Sequence, residues 1–408
     1  MRILLIHQFF LEDGEGGGTR WNEMSRIWSE SGHEITVIAG MRHYMGNRSP
    51  DYEDKFFHRY TNRDRVKVIR CYAGKPGKGF FSRLSGFFAF TFSGIWAGIF
   101  YAKDEYDIMI VTSPPLFVGF IAVFLNWWKG ISFLFEIRDL WPESAMDMGV
   151  LKNKLLIRFA FWLESLVYRR AKAIVVLTPA FREILIAKKN IPADKIILIP
   201  NAADFALSDK LLGEFDPVIF RKAKKLEGRV VITYAGAHGV ANHLAQVLEA
   251  AELLRDTHVL FLLIGDGEQK ECLIAQTANR KIENVHFIDA LPKKEVLKYI
   301  IASDMGASVL KKTDVFKTIY SNKTFDYFSC KKPVLMVIDG VSRQLVEEAA
   351  AGIFVEPEDP VDFAEKIRVY LKNPELVKAQ GENGYRFAKK HFDRQVLAKE
   401  YLNYIEHL

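Results

Sequence analysis

The chain has 408 residues, of which 49% are hydrophobic, enough for two ordinary domains with separate cores. Its three cysteines, Cys71, Cys272 and Cys330, are odd in number and far apart, which excludes a zinc-type spacing, disfavours a disulfide framework and fits a reducing compartment. The net charge of +6 comes from the first half, where residues 1–202 hold 27 Lys and Arg against 20 Asp and Glu.

Residues 2–6 are an apolar run that reads as a buried parallel strand ending at His7. The run turns polar at once and has no cleavage-type site, so no secretory signal is expected. Gly16-Gly17-Gly18 follows, and a helix is predicted over 19–31 with Trp21, Met24, Ile27 and Trp28 on its inner side. A second strand is predicted over 34–39. This order puts flexible backbone at a strand's carboxyl end, where open α/β sheets bind ligands. Thr19 takes the last glycine position of G-x-G-x-x-G, so the loop suits a phosphate or a sugar better than a dinucleotide.

Between Lys55 and Arg83 stand nine basic residues and one acid, Asp64. Such a cluster fits a polyanionic surface or a solvated loop. Residues 84–101 and 108–128 are free of charge. Thr112-Ser113-Pro114-Pro115 divides the second run into a buried strand and a core helix. The first run is a very apolar helix with Gly86, Gly94 and Gly98 among aromatics. It fits a helix lying on a membrane, with a core helix and a true insertion as the other readings. The strand predicted at 131–136 runs into Arg138-Asp139-Leu140-Trp141-Pro142-Glu143-Ser144, which is either functional or an ion pair in a loop. A helix at 151–170 and strands at 173–177 and 196–199 follow. A linker is expected at 201–215.

Strands predicted at 230–235, 259–264, 285–288, 304–310, 334–338 and 352–355 alternate with helices in the second half. That alternation implies a parallel, doubly wound sheet with right-handed crossovers. Gly236-Ala237-His238-Gly239 follows the first of these strands, and Gly265-Asp266-Gly267 the second. Helices predicted at 361–372, 374–390 and 394–406 cover the sheet and can reach back to the first domain. In the stretch after residue 315, Ser321 is expected to cap a helix by accepting backbone N–H bonds. Phe325 and Phe328 share an inward face, while Asn322, Lys323 and Asp326 line another side. A helix start with a lysine suits phosphate, and a carboxylate one turn further in suits sugar hydroxyls.

These pieces carry a resemblance. His7, Gly16-Gly17-Gly18 and Arg20, the segment 32–38, Ile199-Pro200-Asn201-Ala202-Ala203-Asp204, Gly265-Asp266-Gly267, and Ser321-Asn322-Lys323-Thr324-Phe325-Asp326-Tyr327 with Lys332-Pro333-Val334 match in order and spacing. The chain resembles the family 4 glycosyltransferases of the GT-B fold over nearly its whole length. Segment 138–144 resembles the branch that handles amino sugars such as N-acetylfucosamine in bacterial O-antigen and capsule pathways. The resemblance implies an α/β, GT-B protein: two doubly wound Rossmann-like parallel-sheet domains facing across a cleft. Residues 1–202 would bind the acceptor, with a membrane-facing segment at 55–101. Residues 215–385 would bind the nucleotide sugar, and a C-terminal helix at 386–408 can pack back on the first domain.

The resemblance also implies a retaining transferase that moves an N-acetylated amino sugar from a UDP-sugar to a lipid-diphosphate-linked saccharide. It would work at an anionic membrane surface, peripheral on the inner face of the cytoplasmic membrane, with no nucleic-acid partner. By position, Gly17, Gly18, Gly236, His238 and Gly239 would meet the donor diphosphate, Leu291 the base and Asp326 the ribose, with Asn322 also among the donor-binding residues. His7 and Arg20 would lie on the acceptor side. Arg138 and Asp139 take the place of the histidine that many members keep beside the donor sugar.

Two departures matter. Many members have two glutamates with seven residues between them, and here those places hold Thr318 and Asp326. The usual Arg and Lys after the first strand of the second domain are replaced by Ala237 and Asn242. Lys323 is then the candidate for neutralising the leaving diphosphate, with Lys311, Lys312 and Lys317 as competitors. No D-x-D pair occurs, so metal-independent chemistry with no cofactor is expected, with helix N-termini and lysines in the cation's role. A nucleotide-sugar epimerase on the same fold and a non-catalytic, membrane-binding relative are the alternatives.

Overall fold

The computed structural model describes residues 1–11, 15, 17–42, 55–74, 80–149 and 151–408, without the side chains of Phe80, Phe81 and Arg83. Gly16, Lys75, Lys78 and the Arg83 side chain therefore lie outside the described residues. The chain divides into two compact units. The first contains Thr19–Pro200 and Ala398–Leu408, together with the strand at the chain start. The second contains Asn201–Leu397.

In the first unit the order is β1 (Arg2–Ile6), α1 (Arg20–Glu30), β2 (Glu34–Gly40), β3 (Phe57–Thr61), β4 (Lys67–Cys71), α2 (Phe80–Phe100), β5 (Ile108–Ser113), α3 (Val118–Lys129), β6 (Phe133–Ile137), α4 (Glu143–Asp147), α5 (Lys154–Arg170), β7 (Ala173–Val176), α6 (Pro179–Lys189) and β8 (Ile196–Leu198). The strands form one sheet in the order β3-β4-β2-β1-β5-β6-β7-β8. Every pairing is parallel except β3 with β4. β5 and β6 are buried along their whole length, as expected of strands covered by helices on both faces. The order reverses between β1 and β5, so the loops after those strands diverge at the carboxyl edge.

The basic cluster is largely a hairpin rather than a loop. Arg70 on β4 is buried, and its guanidinium donates to the carbonyls of Phe10 and Gly40 and to the Tyr60 hydroxyl. Lys67 is paired with Asp104 at 3.0 Å and Glu34 at 3.4 Å. Both cations are spent inside the unit.

α2 turns the usual amphipathic arrangement inside out. Its glycines face inward: a Cβ on Gly94 would lie 2.6 Å from Ile121, and one on Gly98 would lie 2.6 Å from Leu125, both on α3. Phe88, Phe92, Trp96 and Phe100, four apart, face outward and are 37%, 71%, 52% and 45% exposed. Among the described residues no helix is long and apolar enough to cross a membrane.

The second unit runs α7 (Phe205–Glu214), α8 (Pro217–Ala223), β9 (Val230–Ala235), α9 (Ala245–Glu252), β10 (Val259–Ile264), α10 (Lys270–Asn279), β11 (Val285–Ile288), α11 (Lys293–Ala302), β12 (Met305–Val309), α12 (Asn322–Ser329), β13 (Val334–Val337), α13 (Val341–Glu348), β14 (Gly352–Phe354), α14 (Pro360–Lys372) and α15 (Pro374–His391). Its sheet is parallel, in the order β11-β10-β9-β12-β13-β14. The reversal lies between β9 and β12, which brings the loops after those strands to one carboxyl edge. The segment expected as a linker is instead α7. Asp204 caps it by accepting from the Leu207 N–H at 3.3 Å, and Phe205 and Leu211 enter the second unit's core.

The last helix, α16 (Arg394–Glu406), places Ala398, Tyr401, Leu402 and Ile405 in the first unit's core with Trp21 and Trp28. Trp28 Nε1 donates to the Ala398 carbonyl at 2.7 Å, and the Tyr401 ring packs edge-on against Trp28 at 5.5 Å.

Candidate functional site

Serines set the start of α12. Ser308 Oγ, at the β12 end, donates to Ser321 Oγ at 2.6 Å, and the Ser321 N–H donates to Ser342 Oγ at 3.1 Å. The expected cap is therefore not made: the Ser321 side chain accepts from Ser308 rather than from the helix. The first-turn N–H groups of α12 keep their positive end without a side-chain cap. Gly340 has φ of 83° and lies so close to this loop that a Cβ there would sit 2.1 Å from the Lys317 carbonyl oxygen.

One face of α12 is locked into the core. Tyr327 fills the space above Gly306, where a Cβ would fall 2.3 Å from its ring. Its hydroxyl accepts from the Ala235 N–H at 3.2 Å and donates to the Ala307 carbonyl at 3.1 Å, tying α12 to β9 and β12. The other side carries Lys323 and Asp326. The Lys323 ammonium lies 5.0 Å from the Tyr234 ring centre. A Cβ on Gly236 would stand 2.5 Å from Lys323 Cε, so that glycine makes the room. No described residue gives Lys323 a hydrogen bond or ion pair. Burial pushes its ammonium down to about 8, while Asp326 pulls the other way. The competing lysines differ: Lys312 is paired with Glu356 at 2.6 Å and Lys317 with Asp314 at 2.8 Å, both at the surface.

Asp326 is partly exposed and lies 3.5 Å from Lys293 Nζ. Lys293 opens α11 directly after Leu291 and Pro292, so the pair brings the expected base-binding turn beside the expected ribose carboxylate. Nothing in the composition of 289–293 singled out Lys293; only its spatial approach to Asp326 does. The Thr318 hydroxyl donates to the Val315 carbonyl at 2.7 Å, closing its own turn.

The two glycine loops stack on each other. The His238 N–H donates to the Asp266 carbonyl at 2.8 Å, and the Gln269 N–H to the His238 carbonyl at 2.9 Å. A Cβ on Gly265 would lie 1.9 Å from the Gly236 carbonyl oxygen. His238 is thus not a surface donor for phosphate as expected. Its ring is fully buried, with neither nitrogen hydrogen-bonded, and burial, then the Lys270 charge, push it down to about 4. It is a neutral packing ring against Tyr234 and Phe287. Gly239 closes a turn by accepting from the Asn242 N–H at 3.1 Å, and Asn322 is exposed at the α12 start.

In the first unit His7 and Arg138 come together at the ends of β1 and β6. His7 is buried, and burial first, then the Arg138 and Arg70 charges, hold its ring well below the usual histidine range. Asp139 accepts from Ser144 Oγ at 3.0 Å, and burial pushes its carboxyl up. Glu143, from the same loop, shares Lys189 with the buried Glu164.

Arg20, expected on the acceptor side, is instead a structural cation. It is 2% exposed and bonds Glu136 through Nε and Nη2, at 3.1 and 2.9 Å. It also donates to the carbonyls of Ile199 and Pro200 at 2.9 and 2.6 Å. Trp21 Nε1 and Thr112 Oγ1 satisfy the other Glu136 oxygen, both at 3.1 Å. Gly17 precedes α1 with φ of 148°, and Gly18 is exposed beside it.

Residues 15–202 match the family model of the glycosyl transferase 4-like domain, and residues 216–387 that of glycosyl transferases group 1. The chain is 20% identical to a putative colanic acid biosynthesis glycosyl transferase, WcaI, of Escherichia coli, covering 99% of both chains. It is 23% identical to the probable glycosyltransferase WbjE of Pseudomonas aeruginosa, covering 64% of this chain and 65% of the relative. Among solved structures, Anabaena Alr3699/HepE in complex with UDP-glucose superposes with a TM-score of 0.74 at 16% identity over both whole chains. WaaG, a glycosyltransferase of lipopolysaccharide biosynthesis, superposes with 0.68 at 15% identity over 99% of each.

Proposed function

Since this chain belongs to the family 4 glycosyltransferases and has the GT-B fold, we propose that it transfers a sugar, an N-acetylated amino sugar, from a UDP-sugar to a lipid-diphosphate-linked saccharide in bacterial surface polysaccharide synthesis. One observation carries the donor half: an enclosed ammonium, Lys323, beside the uncapped start of α12, with Asp326 one turn further in. Negative charge grows on the leaving diphosphate during transfer. A pre-placed cation and helix N–H groups stabilise that charge more than they stabilise the bound donor, which is what lowers a barrier. The lack of a D-x-D pair supports metal-independent transfer. Asp326 would hold ribose hydroxyls, with Lys293 fixing its carboxylate, and the turn at Leu291 would meet the base.

His7, Arg138 and Asp139 are proposed for the transferred sugar and the acceptor. The retaining outcome rests on family membership. Peripheral attachment to the inner face of the cytoplasmic membrane is supported by the outward aromatics of α2, with Trp127 and Trp128 of α3 at 69% and 56% exposure. The relatives named for colanic acid and lipopolysaccharide synthesis support the pathway class.

The test is thermal stabilisation of the purified chain by UDP, GDP and a panel of UDP-sugars, because only a ligand that prefers the folded state raises the melting temperature. UDP-sugars should raise it and GDP should not. Absence of any shift with UDP and every UDP-sugar would remove the donor assignment.

A further inference from the structure

The loop after β6 carries Arg138 and Asp139, yet little apolar packing holds it. Its satellite core consists of Ala145, Leu151 and Ala160, with Trp141, Leu156 and Ile157 partly buried around them. The Arg138 N–H donates to the Ser113 carbonyl at 3.2 Å, which fixes where the loop leaves the sheet. Within the loop, the Ser144 N–H donates to the Leu140 carbonyl at 2.8 Å and Ser144 Oγ to Asp139 at 3.0 Å. Those two bonds set the loop's shape, but not its place on the rest of the unit.

The far end is held by charge. Lys189, in the last turn of α6, meets Glu143 at the start of α4 and Glu164 of α5, the latter at 2.8 Å. Its ammonium also lies 4.7 Å from the Phe161 ring centre. The Lys189 and Glu164 side chains are 14% and 4% exposed, so this is no surface pair. Burial pushes the Glu164 carboxyl up, and Lys189 pulls it back. Tyr168, one turn on from Glu164, is buried beside it and packs against Phe135 of β6 at 6.0 Å. Glu164 and Lys189 are thus set in two helices, and Glu143 is the member that the loop supplies. One ammonium between a core carboxylate and a loop carboxylate acts as a hook. Breaking an enclosed pair of this kind destabilises far more than breaking an exposed one.

We propose that Lys189 is a positioning residue: through Glu143 it sets where Arg138 and Asp139 stand against the transferred sugar. The assignment rests on the transferase function proposed above and deepens it, because it names what holds that end of the site. Placement matters because a displacement of about 1 Å at reacting groups can lower a rate by about a hundredfold.

The test uses the full-length chain with Glu143→Ala, Lys189→Met, Lys189→Arg, and Glu143→Ala combined with Lys189→Met. Three quantities are read: hydrogen exchange of segment 138–149, UDP affinity, and UDP release by hydrolysis of a UDP-sugar that raises the melting temperature. Glu143 is partly exposed, so Glu143→Ala keeps the fold even if Lys189→Met, which strands Glu164, does not. Both single changes should speed exchange of 138–149 by about tenfold or more, while α5 stays within about twofold. Both should slow hydrolysis by about tenfold or more, with UDP affinity within about twofold. The double variant should be no slower than the slower single, since the two groups act through one contact. Lys189→Arg should restore the rate, because a guanidinium also bridges two carboxylates. Unchanged exchange or unchanged hydrolysis in Glu143→Ala, additive losses in the double variant, or a parallel fall in UDP affinity would overturn the assignment. If the native chain hydrolyses no UDP-sugar, the transferase reading fails instead, and exchange in Glu143→Ala still decides whether the hook holds the loop.

Discussion

The Lys323 ammonium rests 5.0 Å from the centre of the Tyr234 ring, in space that exists because residue 236 is glycine. Tyr234 in turn donates its hydroxyl to the Ala237 carbonyl at 2.7 Å, so the ring under the lysine also braces the glycine loop. A cation, its support and the loop beside it form one packed group in the second unit.

The first prediction follows from pH. Burial holds the free Lys323 ammonium at about 8, and a bound diphosphate favours the charged form and so raises it. Binding then takes up protons above the free value. UDP affinity should be flat below about pH 8 and fall about tenfold per unit as pH rises beyond it, until the raised bound-state value is reached. Calorimetric titration between pH 6.5 and 9.5 checks this, and Lys323→Met should remove that limb.

Gly236 is tested by Gly236→Ala. The added methyl would collide with Lys323 Cε at 2.5 Å, so the lysine must move. Folding stability should fall by about 1–3 kcal/mol, the usual range for overpacking, and UDP binding should weaken because the lysine is displaced. In Lys323→Ala the same methyl should cost less, and a double-mutant cycle on UDP affinity reads the difference.

Arg20 and Glu136 should behave as fold, not chemistry. Arg20→Met leaves the Glu136 carboxylate buried with one oxygen short of partners. Loss of one partner of such a pair destabilises by about 3–5 kcal/mol. Chemical denaturation should show that loss, whereas the UDP dissociation constant of the folded fraction should stay within about twofold.

Asp326→Ala should weaken UDP about tenfold or more through loss of ribose contacts, and Lys293→Met should weaken it less, since Lys293 only orients the carboxylate. Equal effects would give Lys293 a direct contact with the nucleotide.

The elements themselves were legible because buried parallel strands are continuous apolar runs, and the helices between them keep a clear apolar stripe. What the pattern hid was three-dimensional. The cluster at 55–83 counted Arg70 and Lys67 as surface charge, but a hairpin buries the first and pairs the second. The resemblance puts Arg20 on the acceptor side; its partner Glu136 is 116 positions away, a separation no local motif reveals. His238 sits between two loop glycines, and only loop stacking shows its ring turned inward. α2 looked like a candidate membrane helix for its composition, yet the informative feature was which residues face out: glycines in, aromatics out. Lys293 carried no signal at all until the fold set it beside Asp326.

The central claim is that Lys323 stabilises charge on the departing diphosphate. The most direct measurement pairs UDP-sugar affinity with the rate of UDP release by donor hydrolysis, in the native chain and in Lys323→Met, on whichever UDP-sugar raises the melting temperature. Charge that grows in the transition state should make the rate fall by about a hundredfold or more, with affinity falling about tenfold or less. A hydrolysis rate and an affinity both unchanged in Lys323→Met would contradict it.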